Sequence, residues 1–341
     1  MRPLATVPLL LLLLCNGVAN AQSKPASSTS DKLKAAIEVT SLQAPGIRPW
    51  HWKMDVTLYD ADGKNPKSGS FEAWYADGKM RSLLTLDGAQ LTTLRLGDQL
   101  YRSDGDVEKF VPLEIVFMQA LNPIPDGFLD PSVKLKLSSP KIGKVPLNCI
   151  EASFTLPEAN TFTTDGPLSY CFMAGTDQFV ISYQASQTVV ARVRVGTFQS
   201  KQVPAALLIS SLGHKRAEGT TTTLETFTPS ADDFALQPTL HPLDTPVEVL
   251  PTNTLLGLIL VSDPPHYPVS AKSRHVEGSP KFDVVIGTDG RILSKSLSNK
   301  ADPDLTDAAR QAMTHWIYRP YLIDGIPVQV KTTITINFTL G

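Results

Sequence analysis

Between Trp52 and Ser103 the chain alternates apolar and polar residues and turns back on itself at short, regular intervals. Trp52, Met54, Val56 and Leu58 alternate with Lys53, Asp55, Thr57 and Tyr59. A period of two puts the first set on one face of a strand and the second on the other. Strand-like runs follow at 71–75, 81–86, 91–96 and 99–103, divided by Asp62-Gly63, Asp77-Gly78, Asp87-Gly88 and Gly97-Asp98. These dipeptides supply the positive-φ residues that two-residue hairpin turns need. Parallel strands need long crossovers, so a chain punctuated this way builds an antiparallel meander.

The same rhythm continues at 133–137, 147–154, 179–183, 188–198, 207–211 and 220–227. Two helices are expected among these strands. One runs from Asp31 to Leu42, with Leu33, Ala36, Ile37 and Leu42 on one face and Pro45-Gly46 as its stop. The other runs from Leu113 to Leu121 and is closed by the Pro-rich stretch 122–131. About ten antiparallel strands do not stay flat, because strand twist curls so large a sheet. The expected fold class is therefore α+β: a curved antiparallel half-barrel with helices over 31–235, followed by a small α-β-β-α-β module. Hydrophobic residues at 42% against 19% charged are enough for sizeable cores. A net charge of -2, from 31 Lys and Arg against 33 Asp and Glu, argues against nucleic acid as a partner.

Leu4 to Leu14 is an apolar run after Arg2 and is followed by Ala19-Asn20-Ala21, the order of a secretory signal cleaved before Gln22. Residues 1–21 are read as a signal peptide and 22–30 as a flexible N-terminus. The run is about half the length of a membrane-spanning helix. Export implies the periplasm, and cleavage leaves Cys149 and Cys171 with one possible pairing in an oxidising compartment.

The helix-first meander with a helical insertion, together with phrases such as Gly69-Ser70-Phe71-Glu72-Ala73-Trp74-Tyr75 and Lys79-Met80-Arg81, resembles the periplasmic lipoprotein-carrier (LolA/LolB-like) fold. That resemblance implies a sheet that cradles acyl chains, and Trp52, Trp74 and Tyr75 are the candidate contacts for an apolar ligand. Ordinary sheet packing is the alternative for all three.

Residues 236–254 hold Pro238, Pro242, Pro246 and Pro251 and no glycine, the composition of a semi-extended linker. The remaining module, 255–341, opens its long helix with Asp302 as cap, Pro303 in the first turn and Asp304 at the positive end of the dipole. Tyr267-Pro268, Asp289-Gly290-Arg291, Ala308-Ala309, Trp316-Ile317-Tyr318-Arg319-Pro320, Gly325-Ile326-Pro327-Val328 and the β-rich tail 332–338 closely resemble the TonB C-terminal domain over 262–341. In that family the last strand takes up an extended peptide from an outer-membrane receptor by strand addition. The resemblance places partner-peptide binding on Val328, Gln329, Val330, Lys331, Thr332 and Thr333, on an exposed edge with unpaired main-chain groups. A protected edge that binds nothing is the competing reading, since Gln329 and Lys331 also suit it. Trp316, Tyr318 and Pro320 are read as packing and a helix stop.

No G-x-S-x-G, phosphate loop, H-E-x-x-H or G-x-G-x-x-G occurs, and the six histidines are scattered. Neither catalysis, a cofactor nor a metal site is expected. The sequence thus points to a non-enzymatic periplasmic binder that docks a TonB-dependent receptor or another envelope protein. A lipid or lipoprotein carrier that uses the C-terminal module only for docking is the alternative.

Overall fold

The computed structural model describes residues 28–130, 133–154, 168–184, 187–243, 247–252, 258–262 and 264–340. The signal-peptide reading of 1–21 lies outside them, as does most of the expected flexible N-terminus. Residues 28–30 are described, and they are not a flexible tail. Helix α1 (Thr29–Thr40) starts there, in a capping box in which the Ser28 hydroxyl accepts from Asp31 N at 3.1 Å and Asp31 Oδ2 accepts from Ser28 N at 3.0 Å. Ser-x-x-Asp ahead of an apolar period is the signal that marks this start.

The meander follows as β1 (Trp50–Leu58), β2 (Lys67–Ala76), β3 (Lys79–Leu86), β4 (Ala89–Leu96) and β5 (Gln99–Ser103). After helix α2 (Val107–Leu121) come β6 (Val133–Ser138), β7 (Lys141–Ile142), β8 (Val145–Phe154), β9 (Leu168–Met173) and β10 (Phe179–Gln184). The long strands β11 (Thr188–Phe198), β12 (Lys201–Ser211) and β13 (His214–Thr226), then the short β14 (Leu240–Pro242), complete an open fourteen-stranded sheet. Its order is β14-β5-β4-β3-β2-β1-β13-β12-β11-β10-β9-β8-β6, with β7 on β8. Thus β13 returns to lie beside β1, β14 lies on β5 and β6 on β8, and the other strands pair with their sequence neighbours. Every pairing is antiparallel, as the turn dipeptides require.

One face of this sheet is apolar, and α2 fills it. Trp50, Trp52, Met54 and Phe71 are fully buried there, with Phe71 against Phe117 of the helix at 4.5 Å between ring centres. The helix begins at Val107, earlier than the sequence reading, and carries Pro112 inside it. A proline removes one main-chain donor. Burial of Phe110 and Val111, each worth about 1.5–3 kcal/mol, outweighs that loss. Cys149 and Cys171 face each other across β8 and β9 and are joined by a disulfide.

The second sheet is built from β15 (Val247–Val249), β17 (Lys281–Ile286), β18 (Ile292–Leu297), β20 (Tyr321–Ile323) and β21 (Ile326–Thr335), in the order β15-β21-β17-β18 with β20 also on β21. Beside it lie the pair β16 (Ile259–Val261) and β19 (Ile317–Tyr318) and the helices α3 (Val269–Ser273) and α4 (Pro303–Ala312). Asp302 caps α4 through Asp304 N at 3.0 Å, and Arg274 clamps the same carboxylate at 2.9 and 3.1 Å.

The expected linker 236–254 does not hang free: among its described residues, 240–242 and 247–249 are each pinned to a different sheet, although most of 236–242 is exposed. Leu240–Pro242 pairs with β5, and Val247–Val249 pairs with β21. Leu240 and Leu250 are buried. One apolar cluster runs from Leu33, Val111, Phe128 and Tyr170 into Phe282, Trp316, Tyr318 and Val328, so the two sheets share a core.

A buried polar seam crosses the same junction. The C-terminal carbonyls of α2 have no partners within the helix. Arg319 donates just past the helix end, to O of the cap residue Asn122 and to Pro123 O, while its Nη1 also reaches the Gln119 Oε1 side chain of α2 at 2.9 Å. Arg192 from β11 donates to Ala120 O at 3.3 Å from the other side. Two guanidinium groups therefore sit at the negative end of the α2 dipole, where cations are favoured. Glu114 of α2 accepts from Arg102 and from the Tyr321 hydroxyl, both at 2.7 Å.

The β20–β21 turn, Asp324-Gly325, inserts into the first sheet. Both residues have positive φ, at 50° and 84°. The positive φ favours glycine at residue 325, and a Cβ there would stand 2.2 Å from Gln43 Oε1, so the Gln43 side chain would have to move aside. Asp324 O accepts from Arg95 at 2.5 Å and from Gln43 at 3.0 Å, and Asp324 Oδ1 accepts from Ser82 Oγ at 2.8 Å. Asp324 Oδ2 is buried with no hydrogen-bond partner. Burial, with Glu114 adding to it, pushes the Asp324 carboxyl up to about 7 despite Ser82, Arg95 and Arg102.

Replacing Cys149 and Cys171 with alanine should lower unfolding stability by about 3 kcal/mol, read from urea denaturation, because the bridge closes a loop with a sequence separation of 22. Folding should also take up a proton at Asp324. Its ordinary value of 3.8 applies to the unfolded chain, so between about pH 4 and pH 7 the unfolded state loses a proton that the folded state keeps. This contribution lowers stability as pH rises through that window, and Asp324→Asn should flatten the slope in urea midpoints measured across it.

Candidate functional site

The last long strand, β21, is the feature that sequence and structure single out together. Its antiparallel register against β17 runs from Lys281↔Thr335 to Ile286↔Val330. Its opposite side meets β15 in parallel register, Val247↔Gln329 to Val249↔Lys331. Leu250 N donates to Lys331 O at 2.8 Å, so the main-chain groups of residue 331 point toward the β15 side. Because N–H and C=O pairs alternate along a strand, Gln329, Lys331 and Thr333 present theirs to that side, and Val328, Val330 and Thr332 present theirs inward. Ile336 N, which donates to Pro280 O at 3.1 Å, keeps the even-numbered parity.

Side chains follow the same alternation. Val328, Val330 and Thr332 are buried, whereas Lys331 is exposed and Gln329 and Thr333 are half-buried. Pro327 lies on the outward parity and has no N–H, so the edge offers its first donor at Gln329. The six predicted residues thus do not act alike: three hold the sheet and three form its edge. Nor is the edge open, as the sequence reading expected. Residues 247–250 of the same chain cover Gln329 to Lys331, and Thr332 Oγ1 donates to Pro251 O at 3.1 Å. A strand three residues long leaves no hydropathy period to detect, and the prolines on either side hide it in a linker composition.

The aromatic candidates do not converge on one site. Trp52 and Tyr75 belong to the core beneath α2. Trp74, adjacent to Tyr75 and hence on the other face, stacks on His51 at 4.9 Å and carries the Arg81 guanidinium at 4.4 Å. A separate groove of about 620 Å³ lies between α1 and the β6–β8–β9 end of the sheet, lined in part by Ala36, Val39, Leu137, Ile150 and Phe172. Among the described residues no three His, Cys, Asp or Glu side chains gather as a metal site, and no helix is long and apolar enough to cross a membrane.

Over 62% of its length the chain resembles a DUF1329 family protein from Desulfovibrio piger, covering 97% of it at 9% identity and a TM-score of 0.40. A LolA superfamily protein from Nitrosomonas europaea is matched over 99% of its length at the same identity and TM-score. In a separate comparison, 85 residues of the chain are 29% identical to Protein TonB of Vibrio cholerae. The chain spans 35% of that protein, about a third. The solution structure of the Pseudomonas aeruginosa TonB C-terminal domain is 32% identical, covers 24% of this chain and 84% of its own, and gives a TM-score of 0.22. Residues 263–340, the module that carries the β21 edge, match the family described as Gram-negative bacterial TonB protein C-terminal.

Proposed function

We propose that this protein is a non-enzymatic binder of the periplasm in which the β21 edge receives an extended peptide by strand addition, from an outer-membrane TonB-dependent receptor or another envelope protein. The observation that carries this reading is the parallel ladder on Gln329 to Lys331. It is a strand added to the outer side of β21 through main-chain bonds, the geometry that peptide capture uses. The 263–340 family match supports the same partner class. The curved sheet serves as the body onto which the module is docked.

A lipid or lipoprotein carrier is the second reading, and the groove between α1 and Phe172 supports it, since the Ala36, Val39, Leu137, Ile150 and Phe172 part of its otherwise mostly polar lining suits an acyl chain. Native mass spectrometry of the exported protein separates the two: a co-purified lipid favours the carrier, and a captured receptor peptide favours the binder.

Proline scanning tests strand addition directly, because proline deletes one main-chain donor. Val330→Pro removes an N–H that faces β17 and should destabilise the module, with loss of its near-ultraviolet circular dichroism. Gln329→Pro removes one that faces outward. It should keep the fold and abolish the shifts that a receptor-derived peptide produces in an NMR titration. Equal behaviour of the two variants would count against the edge as the site.

A further inference from the structure

The strand that covers β21 comes from the chain's own interdomain segment, and its construction is that of a ligand. We propose that residues 247–251 are a built-in pseudo-ligand of the β21 edge, which an incoming extended peptide with an aliphatic residue in the place of Leu250 must displace. This rests on the strand-addition reading above and assigns that site a regulator and a partner chemistry.

Four observations support it. The segment uses main-chain bonds on the outward parity of β21, with Leu250 N on Lys331 O, so no second strand can use those groups while it is seated. It is anchored by one side chain: Leu250 is 2% exposed, while its neighbour Val249 is 51% exposed. The strand is only three residues long, so its main-chain hold on β21 is small. It is also tethered close by. Pro242 is fixed on Tyr101 of β5, and Val247 begins the cover on Gln329. Such a short tether keeps the segment at an effective concentration that a free peptide has to overcome.

The sequence Val-Glu-Val-Leu-Pro of the cover then describes what competes best for its place: an extended segment, parallel to β21, with an aliphatic side chain at the buried position and a carbonyl after it for Thr332 Oγ1. A short cover with a single anchor is suited to exchange. A long, fully paired strand would close the edge for good.

The test uses the full chain and a synthetic peptide with the sequence of residues 246–252. Leu250→Asp removes the anchor, and Leu250→Pro removes the donor to Lys331. Each should bind the peptide at least about tenfold more tightly than the unaltered chain, whose open form is a minor population. In the unaltered chain, saturating peptide should speed hydrogen exchange at the Leu250 amide while Val330 and Thr332 stay protected. Equal affinity in all three chains, or a bound peptide that leaves the Leu250 amide protected, would overturn the pseudo-ligand and leave strand addition standing. No binding by any of them, with Val330 still protected, would overturn strand addition itself and the pseudo-ligand with it.

Discussion

Arg319 at the end of α2 is the contact on which the arrangement of this protein depends. It belongs to the C-terminal module in sequence, yet its donors end on Gln119 Oε1 of α2 and on Asn122 O and Pro123 O at the cap of that helix. A helix terminus buried without partners for its carbonyls is costly, and a guanidinium left in the interior without acceptors is costlier. Each solves the other's problem only if the two halves are docked. Arg192 on Ala120 O completes the cap from the sheet side. The Asp324-Gly325 turn and the Tyr321–Glu114 bond then follow from the same docking, since both lie a few residues beyond Arg319.

Docking determines what the β21 edge can do. Once the hairpin tip is seated against Gln43, Ser82 and Arg95, β21 has a fixed position, and the segment leaving β14 reaches its outer side within a few residues. An open edge with unpaired main-chain groups invites association with any extended chain. Here the chain covers it with a piece of itself, and the buried Leu250 gives that cover its register. On the strand-addition proposal, protection of the edge and readiness to bind are two states of one surface.

Much of the fold is legible in the sequence because it is local. The alternation beginning at Trp52 and the Asp-Gly turns that follow specify strands and hairpins without reference to anything distant, and Asp302-Pro303-Asp304 announces the start of α4. Cys149 and Cys171 could be paired from the sequence because reading residues 1–21 as a signal peptide leaves them no other cysteine. The parts that were not legible are long-range. Nothing near Arg319 in sequence shows that its acceptors lie about two hundred residues earlier, and Asp324-Gly325 reads as an ordinary turn until Ser82 and Arg95 are placed around it. The same gap explains the candidate edge. The six residues 328–333 are placed by resemblance, but which three of them face outward depends on the register with β17, and their cover depends on a proline-rich stretch that composition alone assigns to a linker.

Residue-resolved hydrogen exchange on the intact chain tests the docked state most directly. If the Arg319 cap joins the halves, the amides of the last turn of α2, up to Asn122, and those of the 321–326 hairpin belong to one cooperative unit. They should open with the same free energy, and Arg319→Met should speed exchange in both segments together. Rapid exchange of the hairpin beside a fully protected α2, unchanged by Arg319→Met, would contradict the account.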